Sequence, residues 1–324
     1  MSEAIGTSTM PGRWPALDYA ADKAVIETLH AYLQVIGKLP IRTMPWLNHG
    51  WHVAMRVVPG GFRTYPLPVG EHEVEVFFDM ASGVVDAVSS SGQTGSLAVR
   101  NTNVAAFAAD LAFMLDGMGV PIDTSGAPNE VQNPVDFAND TAPRVWDDAV
   151  ASRIHAAFRS VDRIFEAFRT GFVGKSSPSH LFFGSMDLAI TRFSGRTAPL
   201  HPGGVPALPD PVTREAYSHE VASAGFWLGG GGIEEAAFYG YGYPSPEGLS
   251  DRAVEPNTAY WHGDLGEFVL PYAAVREAND PDAVLMAFLQ SSYDAVADLQ
   301  NWDRDALDIP IGKIGEPRGL PNAR

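Results

Sequence analysis

Asn48-His49-Gly50-Trp51-His52 sets two imidazoles beside an indole. Imidazole titrates near neutrality and serves as a general base or a metal ligand. Side chains at odd separation on a strand point to opposite faces. His49 and His52 therefore converge only where His49 lies in the preceding loop or on a bulge. Tyr217-Ser218-His219-Glu220 adds a phenol, an imidazole and a carboxylate. Adjacent residues on a strand diverge, so this run is no triad in itself, and His219 or Glu220 enters a shared cavity only through irregular backbone. Asp187 falls within an apparent strand, Leu181 to Phe193. One face of it carries Phe182, Met186, Leu188 and Ile190, and the other carries Ser185, Asp187, Ala189 and Thr191. A small polar face behind an apolar one suits a cavity wall, and it also suits an ordinary solvent face.

His52, Asp187, His219 and Glu220 are the expected acid–base set, and His49, Trp51, His180, Arg192 and Tyr217 the expected substrate contacts. His180 ends the Gly174-to-Ser179 loop, a place that suits a functional side chain, although its alternation matches the apolar face. Arg192 is either a carboxylate or phosphate clamp or an ion pair holding the strand end. His49, His52, His219 and Glu220 are also the candidate metal ligands, since N and O donors alone suit zinc or iron. The metal-free alternative is proton transfer with a carboxylate orienting an imidazole. With no cysteine in the chain, disulfides, thiolate metal sites, iron–sulfur clusters and Cys nucleophiles are excluded. Gly229-Gly230-Gly231-Gly232 lacks the Lys-Ser/Thr of a phosphate-binding loop and fits a hairpin between two strands. The aromatic residues from Trp227 to Trp261 are expected mostly in the core, with part of them free to line an apolar pocket. His155 is expected on a solvated helix face, and His72, His201 and His262 belong to no constellation.

The elements that carry these residues follow from periodicity. Val25, Leu29, Tyr32, Leu33 and Ile36 mark a helix from about Ala20 to Ile36, with Lys23, Glu27, His30, Gln34 and Lys38 along another side. Segments His52–Val58, Phe62–Leu67, Glu73–Phe78, Val84–Val88 and Ser96–Val99 alternate as an antiparallel meander, and Val104–Met118 follows as a helix. Ile154, Phe158, Val161, Phe165 and Phe168 mark a second long helix. After it come strands His180–Phe193, Glu220–Leu228, Ala236–Tyr243 and Glu267–Val275, then a helix from Asp280 to Leu299 with Asp280 as cap and Pro281 first. The expected class is α+β, with two similar halves of antiparallel sheet and flanking helices. Residues 14–122 form one half and 144–308 the other, packed on the first. A loop at 123–143 separates them, a second long Pro- and Gly-rich loop spans 197–211, and tails run over 1–13 and 309–324. Each half runs helix, Gly-Lys, loop, strand, which suggests an internal duplication or a shared helix-to-strand connection, with His52 aligned opposite Asp187. A cleft between halves is a usual ligand site.

The chain has 324 residues, 45% hydrophobic, and a net charge of −17. That content builds a sizeable core, and the acidity argues against a nucleic-acid or anionic-membrane partner in favour of a small molecule. No apolar run approaches the roughly 20 residues of a membrane span, and no signal peptide is expected at the start. A cytoplasmic location is the expectation.

Several strings together resemble a widespread family of uncharacterised bacterial proteins, a domain of unknown function. They are Asn48-His49-x-Trp51-His52-Val53, then Gly174-Lys175-x-Ser177-Pro178-x-His180-x-Phe182 running into Gly184-Ser185-x-Asp187-Leu188-Ala189-x-Thr191-Arg192-Phe193-Ser194-Gly195-Arg196, and Arg214 to Glu220 with Ser223-Ala224-Gly225-Phe226-Trp227. The similarity extends over roughly residues 14 to 308 and implies one full-length unit without assigning a reaction. From the residues themselves, the expected function is a small-molecule enzyme with a His/carboxylate site between the halves, its class, hydrolase or oxidoreductase, left open. The alternative is a binding protein for an apolar or aromatic ligand.

Overall fold

The computed structural model describes residues 13–319. Both terminal tails expected from the sequence fall partly outside this range, at residues 1–12 and 320–324. Of residues 309–319, Ile309 N–H donates to Gly171 O at 3.2 Å and Gly312 N–H to Thr170 Oγ1 at 2.9 Å, while 313–319 are exposed.

Helix α1 (Tyr19–Thr43) starts where the Asp18 carboxylate accepts the Ala21 N–H at 3.1 Å. Its apolar stripe is buried as expected. It continues past Ile36 because Gly37, Lys38, Leu39 and Pro40 are buried too, and Pro40 sits close enough to the end for its carbonyl to cap the Met44 N–H at 2.9 Å.

Strands β1 (Arg56–Val58), β2 (Gly61–Arg63), β3 (Leu67–Val69), β4 (His72–Asp79), β5 (Val84–Ser89) and β6 (Thr94–Ala98) form the first antiparallel sheet, ordered β1-β2-β4-β5-β6 with β3 also on β4. In β4, Val74, Val76 and Phe78 face the core between less buried neighbours, the period of a half-buried strand. Helix α2 (Val104–Gly117), capped by Asn103, closes this half.

Helix α3 (Asp148–Arg169) opens the second half with its predicted stripe buried. His155 departs from expectation. It is 7% exposed, with Nε2 2.8 Å from Val58 O and its ring edge-on to Phe62, because the first sheet packs over that side of the helix. The second sheet, also six-stranded and antiparallel, comprises β7 (His180–Phe182), β8 (Asp187–Thr197), β9 (His219–Trp227), β10 (Ala237–Tyr243), β11 (Tyr260–His262) and β12 (Glu267–Pro271), in the order β11-β12-β10-β9-β8-β7. Helix α4 (Asp210–Ala216) interrupts it. Helices α5 (Tyr272–Arg276), α6 (Pro281–Leu299) and α7 (Arg304–Leu307) follow, α6 with Asp280 as cap. The protein is thus α+β with one antiparallel sheet in each half, and one apolar core runs through both, from Leu29 on α1 to Val296 on α6. Among the described residues no helix is long and apolar enough to cross a membrane.

Four expected strands are corrected, one of them Phe62–Leu67, which divides between β2 and β3. Asn48–Val53 is a 3₁₀ turn, broken by left-handed backbone at His49 (φ 60°) and Gly50 (φ 68°), and the strand starts only at Arg56. The expected strand Leu181–Phe193 divides at a turn over Phe183–Met186, and Glu267–Val275 becomes a strand and then α5 after Pro271. His52, in a turn, and Asp187, in a strand, therefore differ in local structure despite their alignment.

Candidate functional site

The second sheet buries one face in the core through Leu188, Ile190, Ala224, Phe226, Phe238 and Phe268. Its other face carries the alternate residues. Pairing sets Thr191 beside Ser223 beside Tyr241, and Ala189 beside Gly225 beside Tyr239. Asp187 begins β8 on this face and Glu267 begins β12. A cavity of about 1080 Å³ lies against it. Further wall comes from Glu27, His30 and Lys38 of α1, from the turn His49–Val53, and from the two long loops, through Asn129 and Glu130 in one and Val205 and Leu208 in the other. The loops that composition marks out are thus cavity walls. No residue of the first sheet lines the cavity. The first half contributes through α1, Trp46 and the turn.

The turn is fixed in place by its neighbour. Met55 and Leu181 exchange backbone hydrogen bonds at 2.8 Å in both directions, which staples the chain after His52 to the edge of β7.

On the sheet face, Tyr239 reaches across β9 to donate its hydroxyl proton to Asp187 Oδ2 at 2.5 Å. Gly225 makes the crossing possible, since a Cβ there would lie 2.2 Å from Tyr239 Oη. The Tyr217 and Tyr241 hydroxyls meet at 2.9 Å, and those of Thr191 and Ser223 at 2.8 Å. Burial pushes the Asp187 carboxyl up to about 7, against the opposing effect of the Tyr239 hydrogen bond. Burial, and then the Asp187 charge, push Glu267 up to about 7 as well. Burial also raises Tyr217 to about 12 and Tyr239 and Tyr241 well above the usual phenol range, so all three remain donors. Two carboxyls that hold a proton near neutrality beside phenol donors can protonate an oxygen of a bound molecule or, once ionised, accept a proton from it.

The imidazoles at the cavity are neutral at pH 7. His49 Nδ1 lies 2.8 Å from Ala216 O and its Nε2 2.5 Å from Lys175 Nζ, so Nδ1 carries the proton and Nε2 accepts. His52 Nδ1 accepts the Leu47 N–H at 3.3 Å and its ring packs on Trp46 at 4.5 Å. Burial lowers both below the usual imidazole value.

Of the residues expected from the sequence, His49, Trp51, His52, Asp187 and Tyr217 line this cavity. The others do not. His219 stands behind His49, ring centroids 6.1 Å apart, with Nδ1 3.0 Å from Ser218 Oγ. Glu220, its neighbour on the strand, points the other way and accepts from Ser194 Oγ at 2.7 Å and Arg196 Nε at 2.9 Å. His180 is buried between Trp51 and Phe182, and that burial drives it down to about 3. Arg192 lies away from the cavity. It is fully buried, donates to Phe168 O at 2.6 Å, and lies over the Phe168 and Tyr293 rings, tying α3 to α6. Strand alternation places it opposite Thr191 and on the core side. Nor do His49, His52, His219 and Glu220 form a donor set, and among the described residues no three His, Asp or Glu side chains gather as metal ligands.

Sequence reasoning missed Glu267 and Lys38, and it had Tyr239 and Tyr241 only among aromatic residues expected mostly in the core, with part of them free to line an apolar pocket. The Tyr-Gly-Tyr-Gly-Tyr alternation of β10 was the available signal for the tyrosines, since two small and three phenolic positions cannot share one face. For Lys38 the signal was the polar stripe of α1, which ends in buried Gln34 and Lys38 rather than in solvent.

A family model matches residues 14–309. The chain belongs to the family of unknown function DUF5996. The DUF5996 match takes in every cavity residue named above and agrees with the extent that the sequence strings suggest. Among curated proteins and among solved structures, none matches the chain.

Proposed function

We propose that this protein is a cytoplasmic enzyme that performs acid–base chemistry on a small organic molecule held in the cavity. Asp187 is the general acid, Tyr239 holds it and supplies a second donor, and Glu267 shares its proton affinity. His52 is a neutral imidazole on the same cavity and suits the role of base. The observation that carries this reading is a carboxyl that faces a large cavity, accepts from a buried phenol, and keeps its proton up to about pH 7. The net charge of −17 supports a small-molecule partner over nucleic acid or an anionic membrane.

A second reading has its own support. Ile26, Phe182, Phe183, Val205, Leu208 and Trp227 give the cavity much apolar wall, which suits a carrier of an apolar or aromatic ligand.

Incubation of the full chain with a metabolite extract, followed by mass spectrometry, separates the two. The wild type is expected to consume a component at a rate that falls as pH rises through about 7, and Asp187→Asn is expected to leave that component intact. Consumption by Asp187→Asn at the wild-type rate overturns the assignment. A component bound by both proteins and consumed by neither establishes the carrier.

A further inference from the structure

This chain carries 39 acidic and 22 basic residues, so carboxylates are in surplus. Many of its arginines use them: Arg153 pairs with Asp22, Arg163 with Asp282, and Arg304 with Asp294, Asp298 and Asp308, whereas buried Arg192 is taken up by Phe168 O and the Phe168 and Tyr293 rings. Lys38 is 7% exposed, lines the cavity, and is joined to no carboxylate among the described residues. Its one hydrogen-bond partner is neutral, the Asn129 side-chain oxygen. The rings of Phe137 and Phe183 stand 5.7 and 5.8 Å from the ammonium. Arg42, one turn on and also at the cavity, adds a like charge, though it pairs with Asp123 at 3.4 Å.

An ammonium has three protons to donate, and Asn129 takes one. A cation buried without a counterion is costly, and in a chain with surplus acid that cost is avoidable by a single substitution nearby. Burial lowers Lys38 to about 8, so the side chain still carries its charge at neutral pH. The walls beside it are aromatic and aliphatic, whereas the sheet wall carries protonated acid and phenol groups.

We propose that Lys38 anchors an organic oxyanion, a carboxylate or phosphate borne on an apolar body, and so defines the class of molecule the cavity takes. This rests on the reading of the cavity as a small-molecule site and adds the ligand's charge to it. The Asn129 side chain fixes the lysine for that role: its oxygen accepts from Lys38 while its amide donates to Ala207 O at 3.1 Å, joining α1 to both long loops.

Calorimetric titration of the full chain with benzoate, phenyl phosphate and benzyl alcohol tests this. The wild type is expected to bind at least one anion about tenfold or more tighter than the alcohol, and the preferred anion distinguishes carboxylate from phosphate. Lys38→Met is expected to lose about tenfold or more for that anion and less than about twofold for the alcohol, with a thermal midpoint at or above that of the wild type. Lys38→Gln, which keeps a donor for Asn129, should show the same loss should the Met variant fold poorly. Anion affinity unchanged in both variants overturns the proposal, as does a wild type that prefers the alcohol or binds neither anion at millimolar concentration. Asp187→Asn should keep the anion preference. Should that variant retain turnover while Lys38→Met loses the anion, the acid–base assignment fails and the anchor stands.

Discussion

Asp187 is a carboxyl whose surroundings decide its protonation. It is half-buried on the cavity wall, accepts from Tyr239, and shares that wall with Glu267, and both acids are pushed up to about 7. The Asp187 charge adds to the burial that raises Glu267. Their folded values exceed the unfolded ones, 3.8 and 4.5. The native state therefore binds more protons than the unfolded chain between those limits. The stability these groups contribute is full below the unfolded values and is lost as pH rises through about 7. His49, His52, His155 and His180 act in the opposite sense: burial lowers them, and stability falls as pH drops below the ordinary imidazole value of 6.5. A difference between proteins isolates Asp187. Asp187→Asn should gain stability over the wild type as pH is raised from about 5 to 8, on the order of 2 kcal/mol after allowance for solvent in the cavity. Urea unfolding at several pH values checks it, and a gap that stays constant with pH contradicts it.

At the scale of elements, the site depends on one glycine. Tyr239 on β10 meets Asp187 on β8 only by lying over Gly225 of the strand between them. Gly225→Ala places a methyl 2.2 Å from the phenol oxygen. The ring must move and the bond to Asp187 must break. The expected cost is about 1–3 kcal/mol of stability, seen as a lowered urea midpoint, together with an Asp187 titration moved further up, because the Tyr239 hydrogen bond that favours the ionised carboxylate is lost. A Gly225→Ala protein with wild-type midpoint and unchanged Asp187 titration would show that Tyr239 reaches the acid by another route.

For the whole molecule, alternation and helical periodicity made much of this structure legible. The stripes of α1 and α3, the Asp280–Pro281 start of α6, the alternation of β4 and the two sheet halves are all local patterns. The same alternation placed Asp187 and Thr191 on a wall away from the core. It also put Arg192 with Leu188 and Ile190, toward the core, away from the clamp or ion pair expected of it, and rings of α3 and α6 receive it there. Glu220 could not share a face with His219 for the same reason. What was not legible depends on contacts between distant segments. The polar stripe of α1 becomes a cavity wall because residues near Asn129 and Leu208 fold over it. Glu267 joins Asp187 on one cavity wall through strands whose pairing no single stretch of sequence announces. The turn that brings His49 and His52 to the cavity needs left-handed backbone at His49, which residue type alone does not signal.

The central claim is that Asp187 holds a proton at neutral pH within the cavity. NMR titration of the full chain, with aspartate side-chain carboxyls labelled with carbon-13, measures this directly. One aspartate signal, absent from the Asp187→Asn spectrum, should titrate near pH 7. Should the Asp187 signal instead titrate with the ordinary carboxylates near pH 4, the acid would be ionised at neutrality and the catalytic role assigned to it would be wrong.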